Sequence, residues 1–286
     1  MILFFENGRL GNQLFQYVGI KKFFPNQKIV LFGCEDLLCY FDGVDASFIS
    51  KKLFRNRAIY EIFKRIIHFF ARMRILGSIV ENLDSPQYNI DFKKGLVPNI
   101  FVPQDVFFQH RSVADSVDDH PILRYEILQK AEQWLSNKGV NIKNSSLVFV
   151  HVRRGDYMAW PSKEFPAILD AAWYKRAMRK ISDKIDRPIF VLMSDDGYYL
   201  RDIFIESDSL IISNNMPVVD LAIMSYCIAG VMSASSFGWW GGFMAKNRNA
   251  QNVGHSIFIA PNYWGGHRAR KWFPRYFVSS WIDYMN

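Results

Sequence analysis

An apolar, β-branched run from Leu147 to Val152 ends abruptly in two adjacent arginines, a glycine and an aspartate, and this transition constrains the fold most strongly. The run predicts a buried strand that breaks at Gly155. Ligands of open α/β sheets bind beyond the carboxyl ends of the strands, where Arg153, Arg154 and Asp156 would lie. Asp156 can neutralise one arginine, so we expect the other to be available to a phosphate or diphosphate. The alternative is a solvated ion-pair cluster at a surface strand end.

Apolar strand-like runs alternate with helical patterns along most of the chain, which predicts an α/β protein with parallel sheets. The predicted strands cover residues 1–6, 28–32, 147–152, 189–193, 210–212 and 230–232. The predicted helices cover residues 122–135 and 167–185, with others beginning near residues 14 and 220. The polar stretch 137–146 predicts a domain boundary, which gives domains 1–140 and 141–286. The last segment of the second domain can pack back on the first.

Composition limits the kinds of partner and the cellular compartment that the chain is expected to have. Thirty-five Lys and Arg against 27 Asp and Glu give a net charge of 35 − 27 = +8, which suits an anionic partner. The three cysteines, an odd number, argue against a disulfide framework. The first residues do not resemble a signal peptide, and no stretch of about 18 apolar residues predicts a membrane span. We therefore expect a cytoplasmic protein.

A glycine-containing loop follows the first predicted strand and precedes a helix. Gly8, Gly11 and Asn12 lie in this loop. Strand, glycine-rich turn and helix is the arrangement in which backbone N–H groups hold an anion. The alternative is an ordinary tight turn, because such turns are common in α/β proteins.

Residues 51–80 combine apolar residues at helical spacing with many lysines and arginines. A basic amphipathic helix of this kind can lie on an anionic membrane surface. The favoured alternative is a helix whose apolar side packs on the core while its basic side is solvated. Peripheral membrane attachment is therefore a secondary hypothesis.

Three polar clusters follow three successive predicted strands of the second half: Arg153-Arg154, Asp195-Asp196 and Ser233 to Ser236. Arginines can bind a diphosphate, carboxylates can accept the two adjacent donors of a guanine edge, and serine hydroxyls can bind phosphate oxygens. Under the alternative interpretation, Asp195 and Asp196 bind Mn²⁺ or Mg²⁺. We favour this less, because two arginines already neutralise the phosphates.

These clusters resemble a known motif set. The motifs are His151-Val-Arg-Arg-Gly-Asp156, Ser194-Asp-Asp196, Ser235-Ser-Phe-Gly-Trp-Trp-Gly-Gly242 and, near the amino terminus, Gly8-Arg-Leu-Gly-Asn-Gln-Leu-Phe-Gln-Tyr17. In their order along the chain, these motifs resemble those of the bacterial α-1,2-fucosyltransferases, of the glycosyltransferase family 11 type. The His-x-Arg-Arg-x-Asp element alone is shared with α-1,6- and protein O-fucosyltransferases.

The resemblance implies a GT-B architecture, with two Rossmann-like domains that face each other across a cleft. It implies inverting transfer of L-fucose from GDP-fucose to the 2-hydroxyl of a β-galactoside, with no metal or other cofactor. The implied partners are GDP-fucose and a galactose-terminated glycan. We expect no nucleic-acid partner, because the sequence shows no basic–aromatic recognition motif of the RNA- or DNA-binding folds. The implied setting is bacterial surface polysaccharide (O-antigen) synthesis, with peripheral contact to the inner membrane as a hypothesis.

The resemblance also implies residue roles. Arg153 would bridge the diphosphate and stabilise charge on the departing GDP, supported by Arg154. His151 and Asp156 would shape the donor pocket. Asp195 or Asp196 would recognise guanine. Ser235 and Ser236, beside Phe237, would bind phosphate or fucose. Asn12, with Gly8 and Gly11, would face the reacting centre from the other domain.

Several alternatives stay open. Asp156 and Glu164 are both candidates for the general base, whereas Asn12 can only orient the acceptor hydroxyl. Trp239 and Trp240 can pack the core, which we favour, or stack on a sugar. The competing functions are a fucosyltransferase with another acceptor, such as a protein, and a non-enzymatic basic protein that binds nucleotides at a membrane.

Overall fold

The chain divides into two units in the computed structural model, which describes residues 1–82, 89–115, 117, 120–250, 256–264 and 278–286. Unit 1 is Met1–Ile122 and unit 2 is Leu123–Asn286. The boundary expected from the sequence was residue 140, after the helix Tyr125–Asn137. The structure assigns this helix to unit 2, where the side chain of Tyr226 donates a hydrogen bond to Glu132 over 2.6 Å.

Unit 1 is built on a mostly parallel sheet. The strands of this sheet are β1 (Ile2–Phe5), β2 (Ile29–Phe32), β4 (Ser47–Ile49), β5 (Gly77–Asn82), β6 (Asn89–Lys93) and β7 (Phe101–Pro103). A separate two-stranded sheet contains β3 (Phe41–Asp42) and β8 (Ile122–Leu123). The helices of unit 1 are α1 (Leu10–Phe23), α2 (Glu35–Tyr40), α3 (Arg57–Arg72) and α4 (Arg111–Ala114). The sheet order is β4-β2-β1-β7-β5-β6, and only β6 pairs antiparallel among these described strands.

Unit 2 contains a parallel sheet of the order β11-β10-β9-β12-β13-β14. Its strands are β9 (Ser146–Val152), β10 (Pro188–Ser194), β11 (Leu210–Ile212), β12 (Ala229–Met232), β13 (Phe258–Pro261) and β14 (Asp283–Met285). Its helices are α5 (Tyr125–Asn137), α6 (Ala171–Ser182), α7 (Gly197–Ile203), α8 (Pro217–Ser225) and α9 (Ser236–Arg248). The predicted strand 147–152 therefore lies inside the sheet, between β10 and β12.

The core of unit 2 explains why β9 is so apolar. Alternate valines of β9 (Val148, Val150 and Val152) pack with Trp173 and Tyr174 of α6 in one buried cluster. A strand with helices on both faces of its sheet buries both sets of side chains, so it shows a continuous apolar run rather than alternation.

Helix α9 packs closely on its neighbours. Both of its tryptophans, Trp239 and Trp240, are fully buried, so the interpretation that they pack the core is confirmed. A Cβ added at Gly241 would lie only 2.0 Å from the sulfur of Met224 on α8. The glycine therefore permits the close approach of α8 and α9.

All six predicted strands are confirmed, but several helix predictions were wrong in extent. The helix expected over residues 167–185 covers only Ala171–Ser182, and the helix expected near residue 14 begins at Leu10. The helix expected over residues 51–80 covers only Arg57–Arg72, and Gly77–Asn82 forms strand β5 instead. Arg74, with φ of +56°, and Gly77 end the helical pattern. The helix expected from residue 122 begins at Tyr125, because Ile122–Leu123 is extended.

Asp220, in the first turn of α8, is a buried acid. It accepts a hydrogen bond from the hydroxyl of Ser213 over 2.5 Å. Burial raises the pKa of Asp220 from 3.8 to about 7, although the Ser213 hydrogen bond opposes the shift. The folded state therefore holds this proton more tightly than the unfolded state.

Asp220→Asn should flatten the pH dependence of stability. The bound proton of Asp220 contributes to the free energy of unfolding. This contribution is fully present below pH 3.8 and is lost as the pH rises to about 7. The loss is at most ~1.4 kcal/mol per pH unit. Asparagine cannot ionise, so the free energy of unfolding should change less between about pH 5 and about pH 8. Urea unfolding at both pH values measures this, with exposed Asp202→Asn as the control. A wild-type slope in Asp220→Asn would contradict the expectation.

Candidate functional site

The three polar clusters of unit 2 lie at one edge of its sheet. Strand β9 pairs in register with both neighbours, so that His151 lies beside Met193 of β10 and beside Met232 of β12. The three strands therefore end at the same level. This places Arg153-Arg154, Asp195-Asp196 and Ser233 to Ser236 next to one another, as the sequence predicted.

Arg153 lies between two carboxylates. One terminal nitrogen is 2.8 Å from Asp195 Oδ2, and the other pairs with Asp156 Oδ1. Its side chain is only 12% exposed, whereas that of Asp156 is 56% exposed. A charged group with so little contact with water needs such partners.

Arg154 is held by the other aspartate. Its Nε donates to Asp196 Oδ2 over 3.2 Å, and its backbone N–H donates to Asp195 Oδ1 over 2.9 Å. The guanidinium lies 3.7 Å above the centre of the Tyr199 ring, within cation–π range. The expectation that one arginine would remain without a carboxylate was wrong, because the strand next to β9 supplies Asp195 and Asp196.

Gly155 permits the approach of Asp195. A Cβ at position 155 would lie 2.4 Å from Asp195 Oδ2, closer than Cβ contacts in real proteins. The glycine that breaks the strand pattern thus also leaves room for the carboxylate that binds Arg153.

Ser233 is a buried hydrogen-bonding residue that links the site to the core. Its hydroxyl donates to the carbonyl oxygen of His151 (2.8 Å) and receives the backbone N–H of Arg153 (2.8 Å). The hydroxyl of Tyr174, on α6, lies 2.6 Å from the same oxygen. The sequence predicted phosphate binding for the serine cluster that includes Ser233, whereas its hydroxyl bonds to His151, Arg153 and Tyr174 instead. Tyr174 was missed, because it resembles any core aromatic residue of an amphipathic helix.

Ser233→Ala should destabilise unit 2 more than Tyr174→Phe. The alanine leaves the Arg153 N–H and the Tyr174 hydroxyl buried without this partner, at about 1–3 kcal/mol each. Tyr174→Phe removes one hydrogen bond while Ser233 keeps the other two, which should cost about 1 kcal/mol. Urea unfolding measures both, and exposed Ser182→Ala should stay within about 0.5 kcal/mol of the wild type. A smaller loss in Ser233→Ala than in Tyr174→Phe would contradict the assignment.

His151 is buried beneath the arginine pair. Burial, assisted by the nearby positive charge of Arg153, lowers the pKa of His151 to about 3, so the imidazole is neutral. A Cβ at Gly238 would lie 2.8 Å from His151 Nδ1, and the Phe237 ring is centred 5.4 Å from the imidazole. A neutral, enclosed imidazole supports the edge of the sheet and is a poor proton acceptor at neutral pH.

The start of α9 carries the predicted serines. Ser235 is the N-cap residue, and its side chain accepts the backbone N–H of Phe237 over 3.3 Å. Ser235 is buried, whereas Ser236 and Phe237 are partly exposed. The N-terminus of α9 therefore lies at the same sheet edge as the arginine pair, where backbone N–H groups favour an anion.

The amino-terminal loop is well defined within unit 1. Gly8 has φ of +83°, and a Cβ there would lie 2.4 Å from Asn12 Nδ2, so both backbone and space require glycine. Gly11 and Asn12 lie in the first turn of α1. The side-chain oxygen of Asn12 accepts a hydrogen bond from Gln109 Nε2 over 2.8 Å. Gln109 was not among the residues singled out from the sequence.

The two candidate bases differ in their surroundings. Asp156 is paired with Arg153, as described above. Glu164 lies on an exposed loop between Met158 and α6, and the hydrogen bonds and ion pairs of the two arginines that the structure describes do not involve it. The structure thus brings Asp156, but not Glu164, into contact with the arginine pair.

The chain resembles glycosyltransferases in sequence. The family model described as glycosyl transferase family 11 matches residues 56–264. The O-antigen biosynthesis glycosyltransferase WbnK of Escherichia coli is 24% identical over 62% of this chain and 59% of its own length. The alpha-1,2-colitosyltransferase of Escherichia coli is 30% identical over 43% and 42%. The galactoside 2-alpha-L-fucosyltransferase Sec1 of Mus musculus is 28% identical over 49% and 39%. These matches thus span less than two thirds of each relative.

Solved structures share the fold. The NodZ alpha-1,6-fucosyltransferase soaked with GDP-fucose superposes with a TM-score of 0.51 at 12% identity, over 85% of this chain and 92% of that one. A family 9 glycosyl transferase from Veillonella parvula gives 0.53 at 10% identity, over 91% and 80%. The predicted α/β fold of GT-B type, with two Rossmann-like domains, is thereby confirmed.

Proposed function

We propose a specific reaction for this chain, which belongs to glycosyltransferase family 11. In this reaction the protein transfers L-fucose from GDP-fucose to the 2-hydroxyl of a β-galactoside. The observation that carries the proposal is the arginine pair, Arg153 and Arg154, at the carboxyl edge of a parallel sheet beside the N-terminus of α9. This edge is where α/β folds bind nucleotides. The O-antigen and α-1,2-fucosyl relatives support the reaction and a setting in bacterial surface polysaccharide synthesis.

The arginine pair binds the diphosphate of the donor by exchanging one of its carboxylate partners for a phosphate group. With Asp156, Asp195 and Asp196, the arginines form a cluster of two positive and three negative charges. Asp156 has the most exposed side chain of the three, at 56%. An incoming diphosphate therefore displaces Asp156 from Arg153, while Asp195 and Asp196 keep both guanidinium groups in place.

The transfer step then proceeds with inversion. The galactose 2-hydroxyl oxygen attacks the anomeric carbon of fucose, and the bond from that carbon to the phosphate oxygen breaks with its electron pair going to GDP. Negative charge grows on the leaving diphosphate, so fixed guanidinium donors bind the transition state more tightly than the ground state. The displaced Asp156 accepts the hydroxyl proton, and Glu164 is the second candidate for this role.

The remaining residues shape the donor site. Ser235, Ser236 and Phe237 contribute the N-terminus of α9 to phosphate or fucose binding. His151 supports the arginine pair from below. We assign Asn12, with Gly8 and Gly11, to binding of the acceptor.

The aspartates receive a revised role. Asp195 and Asp196 were expected to bind guanine, but both carboxylates accept hydrogen bonds from the arginine pair. We assign them the positioning of Arg153 and Arg154. Because their charge is already used by two guanidinium groups, we propose that donor binding needs no metal ion.

A second candidate is colitosyl transfer. It is favoured by the alpha-1,2-colitosyltransferase, which is 30% identical over 129 residues. The two candidates share the α-1,2 linkage and differ in the sugar that is transferred.

A product analysis tests the proposal. The protein is incubated with the GDP-linked form of fucose or colitose and a panel of β-galactosides, and the product linkage is determined by NMR. We expect an α-fucosyl group on the galactose 2-hydroxyl. A colitosyl product alone would favour the second candidate, and no glycoside from either donor would refute both.

A further inference from the structure

Helix α3 has two apolar faces, and only one of them belongs to the core. Tyr60, Phe63 and Ile67 pack against Phe5 of β1 and Phe32 of β2. The sequence predicted a single apolar side that packs on the core. The other apolar face was not foreseen as separate.

The second face is a row of large apolar side chains in contact with solvent. Its members recur at intervals of three and four residues, so they lie along one side of the helix. They are Ile59 (42% exposed), Ile62 (55%), Ile66 (45%), Phe69 (55%) and Met73 (58%). We call these five residues the apolar stripe. At a rise of 1.5 Å per residue it is about 21 Å long.

A neighbouring loop extends the stripe. The backbone N–H of Leu96 donates to the carbonyl of Arg74 over 2.8 Å, which fixes the loop after β6 beside the Met73 end of α3. Leu96 itself is 83% exposed. Lys93 and Lys94, in the same segment, are also exposed. Apolar and cationic side chains therefore occur together on both elements.

The charge of the chain is concentrated around this helix. Residues 51–74 contain eight lysines and arginines and one glutamate, a net charge of 8 − 1 = +7. The whole chain has a net charge of +8, so the other 262 residues contribute only +1. Arg65 and Arg72 are exposed and lie three or four residues from Phe69, at the border of the stripe. Lys51 differs, because it pairs with Glu6 over 2.5 Å.

We propose that the apolar stripe binds the surface of an anionic lipid bilayer. A helix with large apolar side chains on one side and arginines beside them inserts the apolar side among acyl chains while the guanidinium groups contact lipid phosphates. A second copy of this chain fits less well, because a two-fold contact would place the same arginines against each other. The apolar stripe occupies only one side of α3, so the proposal places this helix in the plane of the interface. In the part of the chain that the structure describes, no helix is both long and apolar enough to span a membrane.

Vesicle flotation of the full chain tests this proposal. Vesicles of phosphatidylcholine with about one third phosphatidylglycerol are compared with vesicles of phosphatidylcholine alone. We expect the protein to float with the anionic vesicles, less so as salt is raised. The triple variant Ile62→Ser, Ile66→Ser, Phe69→Ser should lower the partition coefficient at least about tenfold, and Arg65→Glu with Arg72→Glu should do the same.

The matched control removes exposed apolar side chains elsewhere. Ile122→Ser with Ile205→Ser, at positions 65% and 89% exposed, should bind vesicles as the wild type does. The stripe variants change only exposed side chains, so circular dichroism should show an unchanged melting transition. Failure of the wild type to float with anionic vesicles at low salt would overturn the proposal, as would undiminished binding by the triple variant. A wild-type dimer that the triple variant dissociates, seen by light scattering, would assign the stripe to a second copy instead.

Discussion

Arg153→Ala should lower turnover of GDP-fucose at least about 100-fold while the protein stays folded. Removing one preorganised donor that stabilises charge in the transition state typically costs this much. The fold should survive because the substitution leaves no stranded buried charge. Asp195 keeps its hydrogen bond from the Arg154 N–H, and Asp156 is largely exposed to water.

Two further variants serve as controls for the loss of Arg153. Arg153→Lys keeps the charge but loses the planar, two-pronged donor, so we expect a rate between those of the wild type and the alanine variant. Arg179→Ala removes an exposed arginine from α6 and should leave the rate unchanged. Steady-state kinetics with a soluble galactoside, alongside circular dichroism, measures all three. Near-normal turnover in a folded Arg153→Ala protein would refute the role of this arginine.

Trp239→Ala should lower the free energy of unfolding by about 3–5 kcal/mol. The indole is fully buried, stacks on Phe243 at 5.1 Å and meets Trp240 edge-on at 5.2 Å. Its N–H donates to the hydroxyl of Ser279 over 2.9 Å. The alanine leaves a large cavity under α9, and we expect the melting temperature to fall by about 10 °C.

Trp239→Phe is the matched control, because phenylalanine keeps the aromatic stacking and loses only the hydrogen bond and part of the volume. It should retain well over half of the stability that the alanine variant loses. Thermal unfolding followed by circular dichroism measures both variants. An alanine variant within about 1 kcal/mol of the wild type would show that α9 is not held by this tryptophan.

The sequence predicted the α/β fold class and the three polar clusters of the candidate site, because both follow from local patterns. An apolar strand that ends in Arg153-Arg154 must deliver these side chains to a sheet edge, and the parallel order brings Asp195 and Ser235 to the same edge. The buried tryptophans of α9 follow from the same logic, since large apolar side chains between glycines favour close packing.

Contacts between elements distant in sequence could not be predicted in this way. The hydrogen bond of Tyr174 to Ser233 and that of Gln109 to Asn12 join segments that no local pattern relates. The pairing of both arginines with carboxylates of the next strand depends on strand register, which a single sequence does not specify. For helix α3, the pattern predicted an amphipathic helix but not that its apolar residues divide between the core and a solvent-exposed stripe.

In the proposed mechanism the arginine pair binds the diphosphate of GDP-fucose without a metal ion and supports transfer to galactose. GDP release from GDP-fucose in the presence of EDTA, with and without a β-galactoside, tests it most directly. We expect release that depends on the galactoside and is unaffected by EDTA. Release that stops with EDTA and returns with Mn²⁺ or Mg²⁺ would contradict it, and would make Asp195 and Asp196 metal ligands instead.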